Sequence, residues 1–545
     1  MNNANFEFRE PKNEPILSYA PGTPERKLLQ EELERQYKKT VEIPLIIGGK
    51  EVKTGNLGKV VMPTEHGHVL ATYHKVGEKE VKMAIEAAMK AKKQWENTPW
   101  IERASVMMKA AELLAKKYRY LLNAATMLGQ GKNPFQAEID SACEAIDFLR
   151  FNAYFASKIY SQHPMSDNTT INRTEYRPLE GFVYAISPFN FTAIACNLNI
   201  SPVLMGNVTI WKPATTAILS NYYLMKVFKE AGLPDGVINF LPGSGSVISD
   251  TVFASKDFAG VHFTGSTSTF NAFWNTIGKN VGNYRTYPKI VGETGGKDFI
   301  FAHHSADPKE LAVAMVRGSF EYQGQKCSAA SRAYIPKSLW SKTLKEINEM
   351  MKTVKMGDVR DFTNFVNAVI DEKSFDNIAK YIDRAKKSPN AEIVLGGKYD
   401  KSVGYYIEPT IIEAKVPNYE TLEIELFGPV MTVYVYEDKK YTETLHLCDE
   451  TSPYALTGSI FANDRTAVIE AFDILRYAAG NFYINDKPTG AVVGNQPFGG
   501  ARASGTNDKA GSSLNLYRWV SPRCIKETLL PPTDYSYPFL QPDKK

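Results

Sequence analysis

The chain has 545 residues, 43% hydrophobic and 23% charged, the balance of an ordinary globular protein with room for two or more domains and a substantial core. Its 64 Lys and Arg stand against 60 Asp and Glu, a net charge of +4, and the signs are interspersed, which argues against a nucleic-acid groove or a membrane-docking face. The five cysteines, Cys143, Cys196, Cys327, Cys448 and Cys524, are odd in number, far apart and free of CxxC pairs, which argues against a disulfide framework or zinc site and for a reducing compartment. The opening MNNANFEFREPKNEP has no apolar core for secretion and carries Glu7, Glu10 and Glu14, which an import peptide avoids. The most apolar region, 182–211, is broken by Pro188, Asn190, Asn197, Asn199, Pro202 and Asn207 and is not expected to cross a bilayer. A soluble, cytoplasmic protein is expected, with a processed mitochondrial-matrix protein as the alternative.

In chain order, Thr23-Pro24 reads as the N-cap and first position of a helix. EHGH, 65–68, has the spacing of a strand-borne metal pair but lacks further ligands, so a polar turn is expected there and no metal site. Residues 78–162 predict long helices, because EKEVKMAIEAAMKAKKQW and ERASVMMKAAELLAKKYRYLLNAATML carry apolar residues at three- and four-residue spacing. From 181, the apolar runs FVYAI, VTIW, GVINFL, GVHF and KIVGE alternate with helical patterns, which predicts βαβ units around a mostly parallel sheet. A second alternation, through SRAYIP, AEIVLGG, GPVMTVYVYE, GSIFAND and GNFYIND, predicts a second α/β lobe. TINRTEYRPLEG, 170–181, and LNLYRWVSPRCIKETLL, 514–530, alternate like strands outside both lobes; an arm that pairs subunits and a simple edge hairpin are both open.

Several stretches carry chemistry. Asn190 follows the strand FVYAI, where a side-chain amide could stabilise an oxyanion or simply bond its own turn. Lys212 ends VTIWK, within reach of ribose or phosphate oxygens, or merely solvated. FTGSTSTF, 263–270, is strand, turn, helix: Gly265 would let backbone approach a phosphate and Ser266 offers a hydroxyl and an amide, although a plain helix cap fits equally and GxGxxG is absent. GSGS, 243–246, has the same two readings. In KIVGETGGKDF, Glu293 ends a strand before a Thr-Gly-Gly turn, where a partly buried carboxylate can act as a general base, although an ordinary loop acid fits these residues too. DPKELAVAMVRGSFEY, 307–322, starts as a helix with Asp307 as N-cap and Pro308 next, ended by Gly324, and Cys327 follows on a polar loop. A thiol there needs a base, and His303 and His304 serve only if the fold brings them near.

Taken together, PFN around Asn190, FTGS at 263–266, GETGGK around Glu293, GQKCS around Cys327, ELFGPV around Glu425 and PFGG at 497–500 resemble the aldehyde dehydrogenase superfamily across about residues 40–530. ISPFNFTAIACNL, YQGQKCSA and QPFGGARASGTNDKAG bring the resemblance closest to the branch that acts on L-glutamate γ-semialdehyde in proline catabolism. What the resemblance implies is an NAD-dependent oxidoreductase with two Rossmann-like parallel-sheet lobes and a small β oligomerisation arm. Its domains would be 1–160 with 180–295 for NAD, 296–510 for catalysis, and 161–179 with 511–545 as the arm of a homodimer or larger homo-oligomer. Cys327 would be the nucleophile, Glu293 the base for the deacylating water, and Asn190 with the Cys327 amide the oxyanion hole. NAD would lie against Ser187, Lys212, Gly265, Ser266, Thr267, Ser268, Thr269 and Glu425. The substrate's α-carboxylate would meet Ser328, Gly490 and Ala491, with Phe191 and Phe498 flanking its aliphatic chain. Thr215 stands where NAD-favouring members often carry Glu, which leaves NADP use open, and Ala491 stands where relatives often carry Ser. Another small carboxylated aldehyde such as succinate semialdehyde, or a cysteine hydrolase or transferase without redox chemistry, are the alternatives.

Overall fold

Phe182–Ile186 and Phe258–Thr264 are buried at every position, as strands covered on both faces by helices must be. In the computed structural model, which describes residues 6 and 8–543, they lie parallel and adjacent inside a seven-stranded sheet. Residues 1–5, 7, 544 and 545, at the ends of the expected N-terminal region and arm, lie outside the described residues, and with them Glu7. The sheet runs Lys289–Glu293, Phe258–Thr264, Phe182–Ile186, Thr209–Lys212, Ile238–Phe240, Leu45–Ile47, Lys50–Val52, and only the last two strands are antiparallel to their neighbours. From Phe182–Ile186 the chain winds outward one way and then returns to the other flank. That reversal leaves a crevice at the carboxyl ends of the two central strands.

The second sheet runs Ala391–Leu395, Thr410–Ala414, Val430–Tyr436, Ala330–Pro336, Asp298–Ala302, Thr457–Phe461, Asn481–Ile484, parallel except at its first pair. Two of its strands, Asp298–Ala302 and Thr410–Ala414, are absent from the sequence expectation. The first follows Glu293 after only residues 294–297, too short for a crossover within one sheet. The chain is instead passing from one sheet to the other, and this link is where the two lobes meet.

The predicted helix at Pro24 is present as Pro24–Tyr37, although Thr23 makes no side-chain cap. The helical region holds Glu78–Trp95, Trp100–Leu113, Arg119–Gln130 and Ala145–Tyr160, interrupted by wide π-turns at Leu114–Tyr118 and Glu138–Glu144. Two expectations change. EHGH is not a turn but opens the strand Glu65–His74 of a three-stranded sheet; His68 stacks on Tyr37 at 4.0 Å and His66 Nε2 meets the Lys401 carbonyl at 2.9 Å. Within 514–530, Ser513–Tyr517 is helical and only Val520–Thr528 is strand, paired antiparallel with Thr170–Pro178. Among the described residues no helix is long and apolar enough to cross a membrane.

Candidate active site

The Asp307 carboxylate accepts the Lys309 and Glu310 amides and starts the helix Pro308–Phe320. This helix ends earlier than Gly324: Tyr322 and Gln323 have φ of 52° and 54° and Gly324 of 65°, a left-handed turn that reverses the chain. A Cβ on Gly324 would stand 2.2 Å from the Gly428 carbonyl oxygen, so only glycine fits. Gln323 Nε2 donates to the Gly131 and Ala368 carbonyls, and Gln325 Oε1 accepts the Ile370 amide at 2.8 Å. Cys327 leaves this pinned loop just ahead of Ala330, whose strand pairs with Asp298.

Glu293 comes to the same place from the other lobe, as the last residue of the edge strand Lys289–Glu293. Its Oε2 accepts the Gly500 amide at 3.2 Å, and the segment 504–506 ties down the strand end, with the Thr294 amide donating to the Ser504 carbonyl at 2.9 Å. Asn190 is buried, and its Nδ2 donates to the Gln325 carbonyl at 3.1 Å, which leaves the second amide hydrogen for another acceptor. His303 and His304 lie beyond the far end of Asp298–Ala302, their rings tilted against each other at 3.9 Å with Tyr441 beside His303. They are not partners for Cys327.

A cavity of about 330 Å³ has Cys327, Glu293, Phe191, Ser328, Gly490, Ala491 and Phe498 in its wall. Asn190 stands behind that lining. Ser328 Oγ lies 2.9 Å from Thr489 Oγ1, and the Gly490 and Ala491 N–H groups make no hydrogen bond among the described residues. Burial, and then Asp298, Glu293, Glu425 and Glu144, hold the Cys327 thiol well above its usual range. Burial likewise raises Glu293, opposed by the Gly500 amide and Lys509.

Sequence reasoning passed over the acidic helix wall. Glu144 also lines the cavity, pushed up to about 8 by burial and by Asp140. Asp140, buried, accepts Lys132 Nζ at 2.7 Å and the Thr192 and Ala193 amides at 3.0 and 2.9 Å, so it caps the helix Thr192–Leu204 beside Asn190. Lys132 Nζ in turn lies 3.9 Å from the centre of the Phe191 ring. Asp140 and Glu144 stand between Glu138 and Asp147 in the sequence, and nothing in that run of acids marks which of them faces the cavity.

The remaining candidates assemble in the crevice of the first sheet. Ser266 Oγ accepts the Thr269 amide at 3.3 Å and caps the helix Thr267–Asn280, while the Gly265 amide donates to the Glu293 carbonyl at 3.2 Å. Lys212 is half-buried, has no ion pair among the described residues, and its Cε lies 3.9 Å from where a Cβ on Gly245 would stand, at the start of the helix Gly245–Ala254. Ser187 is buried, its hydroxyl accepting Trp211 Nε1–H at 2.9 Å and its amide donating to the Lys212 carbonyl at 3.2 Å, which leaves the hydroxyl hydrogen and the carbonyl for a ligand. Glu425 Oε1 accepts the Gly296 amide at 2.8 Å, and burial raises its carboxyl to about 7. Two helix N-termini and a lysine without a counter-ion fit an anionic dinucleotide.

The aldehyde dehydrogenase family model matches residues 52–521. Over 533 residues the chain is 56% identical to the mitochondrial delta-1-pyrroline-5-carboxylate dehydrogenase of Dictyostelium discoideum, covering 97% of this chain and 96% of that one. The mitochondrial delta-1-pyrroline-5-carboxylate dehydrogenase of Homo sapiens is 48% identical over 530 residues, covering 97% and 94%. The crystal structure of the delta-pyrroline-5-carboxylate dehydrogenase of Mycobacterium tuberculosis bound with NAD superposes with a TM-score of 0.95 at 49% identity, over 99% of this chain and 100% of that one. The chain belongs to the aldehyde dehydrogenase family.

Proposed function

We propose that this chain oxidises L-glutamate γ-semialdehyde, formed when the ring of Δ1-pyrroline-5-carboxylate opens by hydrolysis, to L-glutamate with NAD. The observation that carries the reading is the convergence of Cys327 and Glu293, from different lobes, on one cavity with two free backbone amides beside Ser328. The α-carboxylate of the substrate would sit on the Gly490 and Ala491 amides and the Ser328 hydroxyl. A site acting through backbone amides accepts Ala491 without penalty. The amino group would face Glu144, whose ionisation an ammonium favours. Succinate semialdehyde has no such group, and a hydrolase has no use for the dinucleotide crevice.

Cys327 attacks the aldehyde carbon to give a thiohemiacetal, and the free hydrogen of Asn190 Nδ2 with the Cys327 amide meets the oxyanion. Ser187, Lys212, the turn 265–269 and Glu425 would hold NAD, whose nicotinamide would supply the hydride acceptor, so that Cys327 would carry the acyl group as a thioester. Glu293 then takes a proton from water, whose oxygen bonds to the acyl carbon as the C–S bond breaks. Residues 1–160 and 180–295 would serve the cofactor and 296–510 the chemistry, with 161–179 and 511–545 as the arm of a homo-oligomer. Exposed Ile171, Leu529, Leu530 and Phe539 support that arm. The mitochondrial names of the relatives favour the matrix over the cytoplasm.

The test is steady-state reduction of NAD and of NADP with pyrroline-5-carboxylate, alongside succinate semialdehyde. Pyrroline-5-carboxylate with NAD should give the highest kcat/KM. Cys327→Ala should abolish turnover while still binding NAD, and substantial residual NADH production by that variant would sink the assignment.

A further inference from the structure

Between Phe498 and Ala510, which exchange backbone hydrogen bonds of 2.9 and 2.8 Å, the chain makes a closed loop against Glu293. Its two-glycine turn touches the carboxylate directly. Gly500 donates to Oε2 at 3.2 Å, and a Cβ on Gly499 would lie 3.1 Å from Oε1. That turn is held from below by two side chains, Lys509 and Asn481. Lys509 Nζ donates to the carbonyls of Gly480 and Gly499 at 2.7 and 3.0 Å and to Asn481 Oδ1 at 3.4 Å, while Asn481 Oδ1 also accepts the Gly499 amide at 3.2 Å.

Two further facts single Lys509 out. Its φ is 51°, in the left-handed region, where a residue with a Cβ is disfavoured and glycine is not. Among the described residues its charge also lacks an ion-paired acid. Asp508 is taken by Arg518 Nε at 3.2 Å and by Thr506 Oγ1 at 2.5 Å. The titratable groups facing the Glu293 carboxylate are Lys509, Asp508 and the Cys327 thiol.

Resting on the assignment of Glu293 as base, we propose that Lys509 is a positioning residue for it: the ammonium pins the 499–500 turn that holds the carboxylate, and supplies the positive charge facing it. Because Lys509 bonds the carbonyls and not the carboxylate, the base stays aimed and its lone pairs stay free for water. An ion pair made directly to Glu293 would consume the basicity that thioester hydrolysis needs.

Lys509→Met and Lys509→Arg are compared with wild type by rapid mixing and by kcat against pH. In Lys509→Met hydride transfer should remain fast, giving a burst of NADH stoichiometric with sites. Steady-state kcat should fall about ten- to a hundredfold, and the acidic limb should move up by about one unit, since a carboxylate losing a neighbouring cation is harder to ionise. Lys509→Arg keeps the charge and should keep the limb. Asn481→Ala, which removes the second clamp on the turn, should show the burst with the limb unmoved, and it carries the test if Lys509→Met does not fold. An unchanged kcat and limb in Lys509→Met, or equal losses in Lys509→Met and Lys509→Arg without burst or limb shift, would overturn the proposal. A wild type that does not reduce NAD with pyrroline-5-carboxylate would instead overturn the assignment of function.

Discussion

On one side of the turn 293–297 the crevice presents Ser266, Ser268 and Thr269 to solvent at a helix N-terminus, whereas on the Cys327 side the walls are ion pairs removed from water, Lys132 with Asp140 and Lys326 with Glu321. The first arrangement is local. Any strand–turn–helix supplies free amides and a positive helix end within a few residues. The second needs partners from separate elements: Asp140, on the π-turn Glu138–Glu144, holds the start of the helix Thr192–Leu204. A cofactor crevice made of backbone tolerates side-chain loss, and a cavity walled by buried charges does not.

The contrast breaks most visibly at Asp140. Asp140→Ala strands the buried Lys132 ammonium and the Thr192 and Ala193 amides, so unfolding in urea should show a loss of about 3–5 kcal/mol. Adding Lys132→Met should recover part of it, and an undiminished single variant would erase the distinction between the two sides. Glu144 sharpens it at a smaller scale. With its carboxyl raised from 4.5 to about 8, the folded protein holds the proton more tightly than the unfolded chain. That stability is complete below pH of about 4.5 and is lost as pH rises through about 8. Glu144→Gln has no such loss, so relative to wild type it should gain about 3–4 kcal/mol between pH 5 and pH 8.5. A pH-independent difference would mean that this carboxyl is well solvated. The smallest effect is expected in the crevice, where Ser266→Ala should cost about 1 kcal/mol in unfolding and no more in NAD affinity, because the amides remain. A larger drop in NAD affinity would make the hydroxyl itself a ligand.

How much of this was legible in the chain depended on reach. FVYAI and GVHF announced buried parallel strands because apolar continuity is a property of neighbours in sequence. DFIFA escaped because only 294–297 separate it from KIVGE, and the change of sheet between them leaves no mark in periodicity. EHGH looked like a turn since polar residues crowd it, yet pairing with Leu57–Met62 and stacking on Tyr37 make it strand. Glu144 and Lys509 carry no local signal for their surroundings. One sits on a helix that reads as amphipathic, the other in a loop that reads as polar.

By itself the sequence determined the alternation of strands and helices, the helix started by Asp307 and the presence of a thiol, a carboxylate and an amide in order. These follow from backbone sterics and from hydrogen bonds within a few residues. Only the tertiary structure decided that Glu293 and Cys327 share one cavity, that Asn190 is buried against the Cys327 loop rather than free, and that Lys509 underlies the base. Those relations join residues from both sheets and the helical layer, and burial, which raises the Cys327 thiol and the Glu293 and Glu144 carboxyls, exists only once the two lobes have closed.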